Sequence, residues 1–316
     1  MHRILVSGLI NIETTLQVED FPIVYEPVRF PFFGIQSSVS GVGYNVARAL
    51  TVLGDDVRFL SLIGGDLAGR LVLESLADDG ISAERVIRAL HQTPQSVILF
   101  DRTGRRAINT DLRDIQDVSY PVDQFDQAIA GCELAVLCNI NFSRPFLARA
   151  RAQGIPIATD VHTIADLDDP YNQDFMAAAS ILFMSDESLP CAAEAWVRCI
   201  WDRYEAEVVV VGLGAEGALL GIRRERFLKR LPAVQTRPIV NTIGAGDALF
   251  SAFVHGYAAT GDPYVSLQQA VVFASYKIGE TSASQGFLDE AALVRLCAAP
   301  ASGLLDLQGH LLPRQH

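Results

Sequence analysis

The stretch Val208-Val209-Val210-Val211-Gly212-Leu213-Gly214-Ala215-Glu216-Gly217-Ala218-Leu219-Leu220-Gly221-Ile222 decides the fold. Its first half is an unbroken β-branched run, the pattern of a strand buried on both faces of a parallel sheet. Gly212, Gly214 and Gly217 match G-x-G-x-x-G, which marks a dinucleotide site only where a helix starts at the turn. The next residues, Ala218 to Ile222, read as a second strand, so the glycines form a tight strand connection. A nucleotide can still touch such a turn in another fold. A Rossmann oxidoreductase rests on this hexapeptide alone and requires a helix after Gly217.

Outward from this stretch, short apolar runs alternate with helix-length amphipathic segments, which predicts an α/β fold with a largely parallel sheet. Core strands are expected at 3–7, 57–63, 134–137, 156–160, 181–184 and 208–211. Helices are expected at 43–53 and at 68–79, the latter ended by Gly80. A third starts near Asp247, and a fourth spans 263–278 with Asp262 as N-cap and Pro263 in the first position. Residues 12–40 read as extended, and 96–111 as a hairpin around Asp101-Arg102-Thr103-Gly104. Together these two segments are expected to form a small strand-rich lid inserted into one domain covering 1–316.

The composition excludes several function classes. The chain has 316 residues, with 37 Asp+Glu against 25 Lys+Arg and a net charge of −12. Nucleic acid is not expected as a partner, because phosphate-backbone binding needs clustered positive charge. Lys229 and Lys277 are the two lysines against 23 arginines, and neither follows a glycine-rich loop, so P-loop chemistry is out. The five cysteines have no C-x-x-C spacing, which favours free thiols in a reducing cytosol. The uncharged run 30–47 holds Pro31, Gly34, Gln36 and Asn45, unlike a spanning helix. The N-terminal apolar run reads as a first strand and not as a signal peptide. A cytoplasmic protein with no membrane contact is expected. The histidines show no H-x-x-x-H pair and no G-x-S-x-G elbow is present, which argues against a zinc enzyme and an α/β-hydrolase. The acidic run Asp166-Leu167-Asp168-Asp169 lacks the spacing of a calcium loop and reads as a solvated turn.

Three segments can carry chemistry. Asn241-Thr242-Ile243-Gly244-Ala245-Gly246-Asp247-Ala248 enters a helix, where backbone N–H groups and the dipole favour an anion. Asp247 there is either a cap or a base toward a hydroxyl that attacks phosphorus. Ser40-Gly41-Val42-Gly43-Tyr44-Asn45 also enters a helix; its small residues allow close approach of a polar ligand, and Asn45 offers a donor and an acceptor. Gly8-Leu9-Ile10-Asn11-Ile12-Glu13 follows the first strand, at the edge where open α/β sheets bind ligands. Asn11 and Glu13 alternate outward and can hold sugar hydroxyls. Phe32, Phe33 and Tyr44 either stack on a ligand or form the lid's own core.

In combination these segments resemble the ribokinase-like (PfkB) family of sugar and nucleoside kinases. The run from Ser40 to Ala47, then Leu53-Gly54, then Ile63-Gly64-Gly65-Asp66-Leu67-Ala68-Gly69, resembles its N-terminal signature, and Thr242 to Asp247 its C-terminal one. The resemblance implies a doubly wound, mostly parallel sheet flanked by helices, with a β-strand lid. It also implies transfer of the ATP γ-phosphoryl group to a hydroxymethyl group of a sugar or nucleoside. Asp247 matches the catalytic base, and the amides of Gly244, Ala245 and Gly246 the anion hole. Asn11, Glu13, Gly41, Gly43 and Asn45 fall at the sugar, while Gly212, Gly214, Gly217 and Thr242 fall at the nucleotide. Family members need Mg²⁺, many respond to K⁺, and their lids often pair into homodimers.

Three positions depart from that pattern. Glu13 and Asn241 each stand where Asp is usual, and the second change counts against a K⁺ site. The N-x-x-E magnesium motif is replaced by Met184-Ser185-Asp186-Glu187-Ser188, which leaves Asp186 and Glu187 as candidates for the metal's water network. These departures motivate an alternative: a catalytically weak, ligand-binding or regulatory member of the same fold.

Overall fold

A computed structural model describes residues 1–298 and the backbone of 305–306. The tail of the domain expected over 1–316 lies outside the described residues. Among the described residues thirteen strands build the two larger sheets: β1 (Arg3–Ser7), β2 (Asn11–Gln17), β3 (Ile35–Ser40), β4 (Asp56–Gly64), β5 (Val86–Leu90), β6 (Gln95–Phe100), β7 (Arg106–Asp111), β8 (Leu134–Leu137), β9 (Ile157–Thr163), β10 (Ile181–Ser185), β11 (Val208–Gly212), β12 (Ala218–Ile222) and β13 (Phe227–Leu231). The large sheet has the order β13-β12-β11-β10-β9-β8-β1-β4-β5, and the small one β3-β2-β6-β7. A further two-residue pairing joins Val234–Gln235 to Leu305–Asp306.

From β11 to β5 every pairing in the large sheet is parallel, and β12 and β13 add an antiparallel edge. Gly212 pairs with Ala218 across one 3-10 turn at Gly214–Glu216, so a strand and not a helix follows Gly217. The Rossmann oxidoreductase reading is thereby overturned. At Gly217 the glycine is needed because a Cβ would lie 2.0 Å from the Leu231 carbonyl oxygen.

Helices cover both faces of the large sheet. On one side lie α1 (Val42–Val52) and α2 (Leu67–Asp78); on the other, α3 (Val122–Ile129), α4 (Arg144–Ala152), α5 (Gln173–Ala178) and α6 (Ala193–Arg203). Three more, α7 (Ala245–Thr260), α8 (Pro263–Lys277) and α9 (Glu290–Ala298), join α1 and α2. The valine run shows why its sequence does not alternate. Val208 and Val210 pack into the core with Phe250 and Phe253 of α7, while Val209 and Val211 pack into the core with Trp196 and Ile200 of α6. Successive side chains point to opposite faces, and both faces are covered. The expected caps hold as well: Asp262 accepts from the N–H groups of Tyr264 and Val265, ahead of Pro263.

The small sheet comes from 11–17, 35–40, 95–100 and 106–111, and the turn at Asp101 is held by its carboxylate. It meets the rest of the molecule through a buried contact of Ile98, Ile243 and Ala283. Ser38 Oγ also lies 3.1 Å from Ser282 Oγ, and Ser284 Oγ donates to the Val39 carbonyl. Tyr44 is not available for stacking: it is buried in the core and donates to Asp79. Phe32 and Phe33, by contrast, are 86% and 100% exposed in the β2–β3 connection.

Candidate active site

Two helix entrances and one strand converge beside the carboxyl ends of the parallel strands. Gly244 caps α7 in the left-handed region (φ 77°), where a Cβ would come 2.7 Å from the Ala283 carbonyl oxygen. This turn swings the chain so that Asp247 sits in the first turn of α7. Of the loop amides, Ala245 N–H bonds the Thr242 carbonyl at 3.2 Å, while those of Gly244, Gly246 and Asp247 have no partner among the described residues. Such free N–H groups at a helix start are an anion site. The amides of Gly244 and Gly246 are thus left open to a ligand, whereas Ala245 N–H is engaged within the turn.

Asn45 of α1 reaches this site and donates from Nδ2 to Asp247 Oδ2 at 2.7 Å. Ser40 Oγ lies 3.2 Å from Glu13 Oε2 and 3.4 Å from Asn45 Oδ1. Asn11 donates to Ser96 Oγ. The sequence places Asn11 and Glu13 pointing outward; the structure buries them, at 2% and 7% exposure, because β2 is an inner strand of the small sheet and their side chains meet its neighbours, Asn11 bonding Ser96 of β6 and Glu13 bonding Ser40 of β3. Asn11 Oδ1 and Glu13 Oε1 are buried without a hydrogen-bond partner. Buried polar atoms are rarely left unpaired, so these two point to a polar ligand.

Gly41 and Gly43 shape the site without side chains. A Cβ on Gly41 (φ 106°) would lie 2.7 Å from the Leu9 carbonyl oxygen, and one on Gly43 2.5 Å from the Gly8 carbonyl carbon. Both glycines let α1 start against the end of β1, which is what brings Asn45 to Asp247.

Charge at the site is tuned by burial. Desolvation raises the pKa of Asp247, and the Asn45 hydrogen bond and the charges of His162 and Lys277 act against it. Desolvation likewise raises Glu13, which the Ser40 hydrogen bond opposes. Lys277 is pushed down to about 8 by burial, against the pull of Asp247, Glu13 and Glu280. A carboxyl held partly toward its neutral form is suited to take and release a proton.

Sequence reasoning missed Lys277, Asp160 and His162. Asp160 lies near the end of the buried part of β9, and its Oδ1 accepts from His162 N–H at 2.8 Å, with His162 at φ 59°. The edge rule that singled out Gly8 to Glu13 applies equally to the carboxyl end of β9, so that signal was available. Lys277 carries no local signal, being far along the chain from the loop it touches.

The nucleotide and metal candidates lie at neighbouring strand ends. The 212–217 turn closes β11 beside β10, and Asp186 N–H bonds the Gly212 carbonyl at 3.0 Å. Thr242 is exposed at the start of the anion loop. Asp186 and Glu187 are exposed, and Glu187 Oε1 lies 3.5 Å from Arg106 Nη2 of the small sheet. No group of three or more His, Cys, Asp or Glu able to hold a metal is found among the described residues. A magnesium ion carried by substrate phosphates would need only one or two protein carboxylates. Among those residues no helix is long and apolar enough to cross a membrane.

The profile of pfkB family carbohydrate kinases matches residues 1–290. The acarbose 7(IV)-phosphotransferase of Actinoplanes sp. is 27% identical over 300 residues, covering 93% of this chain and 98% of that protein. Among solved structures, the microbiome-derived acarbose kinase Mak1 has a TM-score of 0.84 at 25% identity, over 94% of this chain and 99% of that one. Arabidopsis thaliana ribokinase, complexed with ribose and ATP, has a TM-score of 0.78 at 19% identity, over 95% and 100% of the two chains, a likeness of fold.

Proposed function

The chain belongs to the pfkB carbohydrate kinase family and is a sugar or nucleoside kinase, and from that premise we propose that it moves the γ-phosphoryl group of ATP onto a hydroxymethyl group with Asp247 as base. The observation that carries this reading is the Asn45–Asp247 pair, set between the unpartnered atoms of Asn11 and Glu13 and the free amides that open α7. The acceptor's other hydroxyls bond Asn11 Oδ1 and Glu13 Oε1, which aims its hydroxymethyl group at Asp247. Gly212, Gly214, Gly217 and Thr242 line the nucleotide, and Asp186 or Glu187 orders water around the metal. When bound with ATP, Mg²⁺ neutralises charge on the phosphates.

In the transfer step the hydroxyl oxygen forms the new bond to the γ-phosphorus. The bond from that phosphorus to the bridging oxygen breaks, and ADP leaves with its electron pair. The hydroxyl proton passes to Asp247. The Gly244 and Gly246 amides hold the charge on the transferring group without rearranging. The small sheet acts as the lid, excluding water that would otherwise take the phosphoryl group.

The face of β2 that carries Asn11 and Glu13 continues into a cleft of about 280 Å³ lined by Thr15, Gln17, Phe33, Gln36, Phe100 and Asn241. This supports an acceptor with a further ring beyond the phosphorylated sugar. The test is ADP release with monosaccharides, nucleosides and oligosaccharides, using wild type and Asp247→Ala. Asp247→Ala is expected to bind nucleotide while turnover falls by ~10²–10⁴-fold. Near-wild-type turnover would end the assignment of the base, and no turnover with any acceptor would favour the ligand-binding alternative.

A further inference from the structure

Asn241 stands where the family resemblance expects Asp, and the space behind its loop is filled by a side chain. Lys277 ends α8 and is fully buried, at 0% exposure. Its Nζ donates to the carbonyl of Ile243, the residue before Gly244. The carboxylates that act on it are Asp247 of α7, Glu13 of β2 and Glu280 just past α8; Arg237 is the cation that opposes them. Arg237 is itself bonded to Glu280, with Nη1 to Oε1 at 3.1 Å. A buried ammonium is costly unless paired. Its place here is sustained by those carboxylates and by the carbonyl.

The rest of the loop is closed by neutral groups. Asn241 Oδ1 accepts from Ile243 N–H at 2.7 Å, and Asn241 Nδ2 donates to the Thr281 carbonyl at 3.2 Å. The N–H groups of Val240 and Asn241 both bond the Ile278 carbonyl. A monovalent metal ion would need carbonyl and carboxylate oxygens from this loop. Residue 241 offers no carboxylate, and the Ile243 carbonyl already holds an ammonium. The residues present therefore do not fit K⁺.

We propose that the Lys277 ammonium is the resident cation of the phosphoryl-transfer loop: it holds the Ile243 carbonyl, aims the amides of Gly244 and Gly246, and leaves the enzyme independent of a monovalent metal ion. Lys277 is thus a positioning residue acting through the loop backbone. The inference rests on the kinase reading, and its test separates the two. ADP release is measured in N-methylglucamine chloride, then with KCl or NaCl at equal ionic strength. Wild type is expected to change by less than about twofold; stimulation by K⁺ of about tenfold or more overturns the proposal.

Lys277→Ala is expected to lose about tenfold or more of turnover, part of which methylammonium or K⁺ restores. A loss that no cation restores overturns the proposal, since it marks a purely structural lysine. Thermal melting reads the same loop without turnover. Wild type is expected to melt at one temperature in KCl and N-methylglucamine chloride, and a K⁺-specific rise overturns the proposal even if no acceptor is phosphorylated. Absence of ADP release in every salt, with unchanged melting, instead refutes the kinase reading.

Discussion

Replacing Asn45 by Leu isolates the contact that sets the state of the proposed base. Leu keeps the buried volume and removes the Nδ2 donor that lies 2.7 Å from Asp247 Oδ2. A hydrogen bond to a charged group contributes about 1.5–3 kcal/mol. Asn45 is the largest influence holding Asp247 toward the carboxylate, against the burial that raises its pKa. Without it, burial and the Asp160 charge are opposed by His162 and Lys277 alone. At about 1.36 kcal/mol per pH unit, the acid limb of the kcat profile should move up by about one to two units. The assay is initial-rate ADP release from pH 5 to 8 at saturating substrates. If kcat falls equally at every pH and the limb stays in place, Asn45 serves only to bind substrate and the reasoning is refuted.

Neighbouring geometry sets further expected outcomes. Gly244→Ala places a Cβ 2.7 Å from the Ala283 carbonyl oxygen in a left-handed conformation, itself costing about 1–2 kcal/mol, so kcat and melting temperature should both fall; an unchanged kcat would show that the loop amides are not used. Activity should decline as pH rises through about 8, where Lys277 loses its proton. Because its folded pKa lies below the unfolded one, the unfolded chain binds more protons between about 8 and 10.5, so Lys277 contributes increasing stability there. The decline in activity should therefore appear in initial rates without a parallel loss of melting temperature attributable to this group. The exposed Phe32 and Phe33, together with the open edges of the small sheet, support a homodimer through the lid; light scattering should show a dimer for wild type and a monomer for Phe32→Asp with Phe33→Asp.

The parts of the fold legible in sequence are those fixed by local chemistry. The valine strand shows because burial on both faces removes alternation, and α8 because Asp262 and Pro263 can only open a helix there. The turn after Val211 shows because Ala218 to Ile222 lacks helical periodicity. Less legible is what depends on packing between distant segments. Asn11 and Glu13 look like outward positions of a strand until the fold brings them against Ser96 and Ser40. Gly43 looks like a ligand contact, although its missing Cβ is needed where α1 crosses β1. Lys277 looks like a surface lysine at a helix end, and only the fold brings it to the Ile243 carbonyl. The −12 charge counts against a nucleic-acid partner but does not locate the positive potential that the proposed ATP site needs; in that proposal the free amides of α7 and the Lys277 ammonium supply it.

Transfer of a phosphoryl group to the oxygen of a hydroxymethyl carbon, with Asp247 as base, leaves a signature in the product itself. Phosphorus NMR of the compound formed from ATP and the best acceptor, with proton coupling retained, reads that signature. A monophosphate ester coupled to two methylene protons is expected from wild type and not from Asp247→Ala over the same time. Inorganic phosphate as the sole product, an ester on a ring carbon, or equal product from Asp247→Ala would refute the assignment.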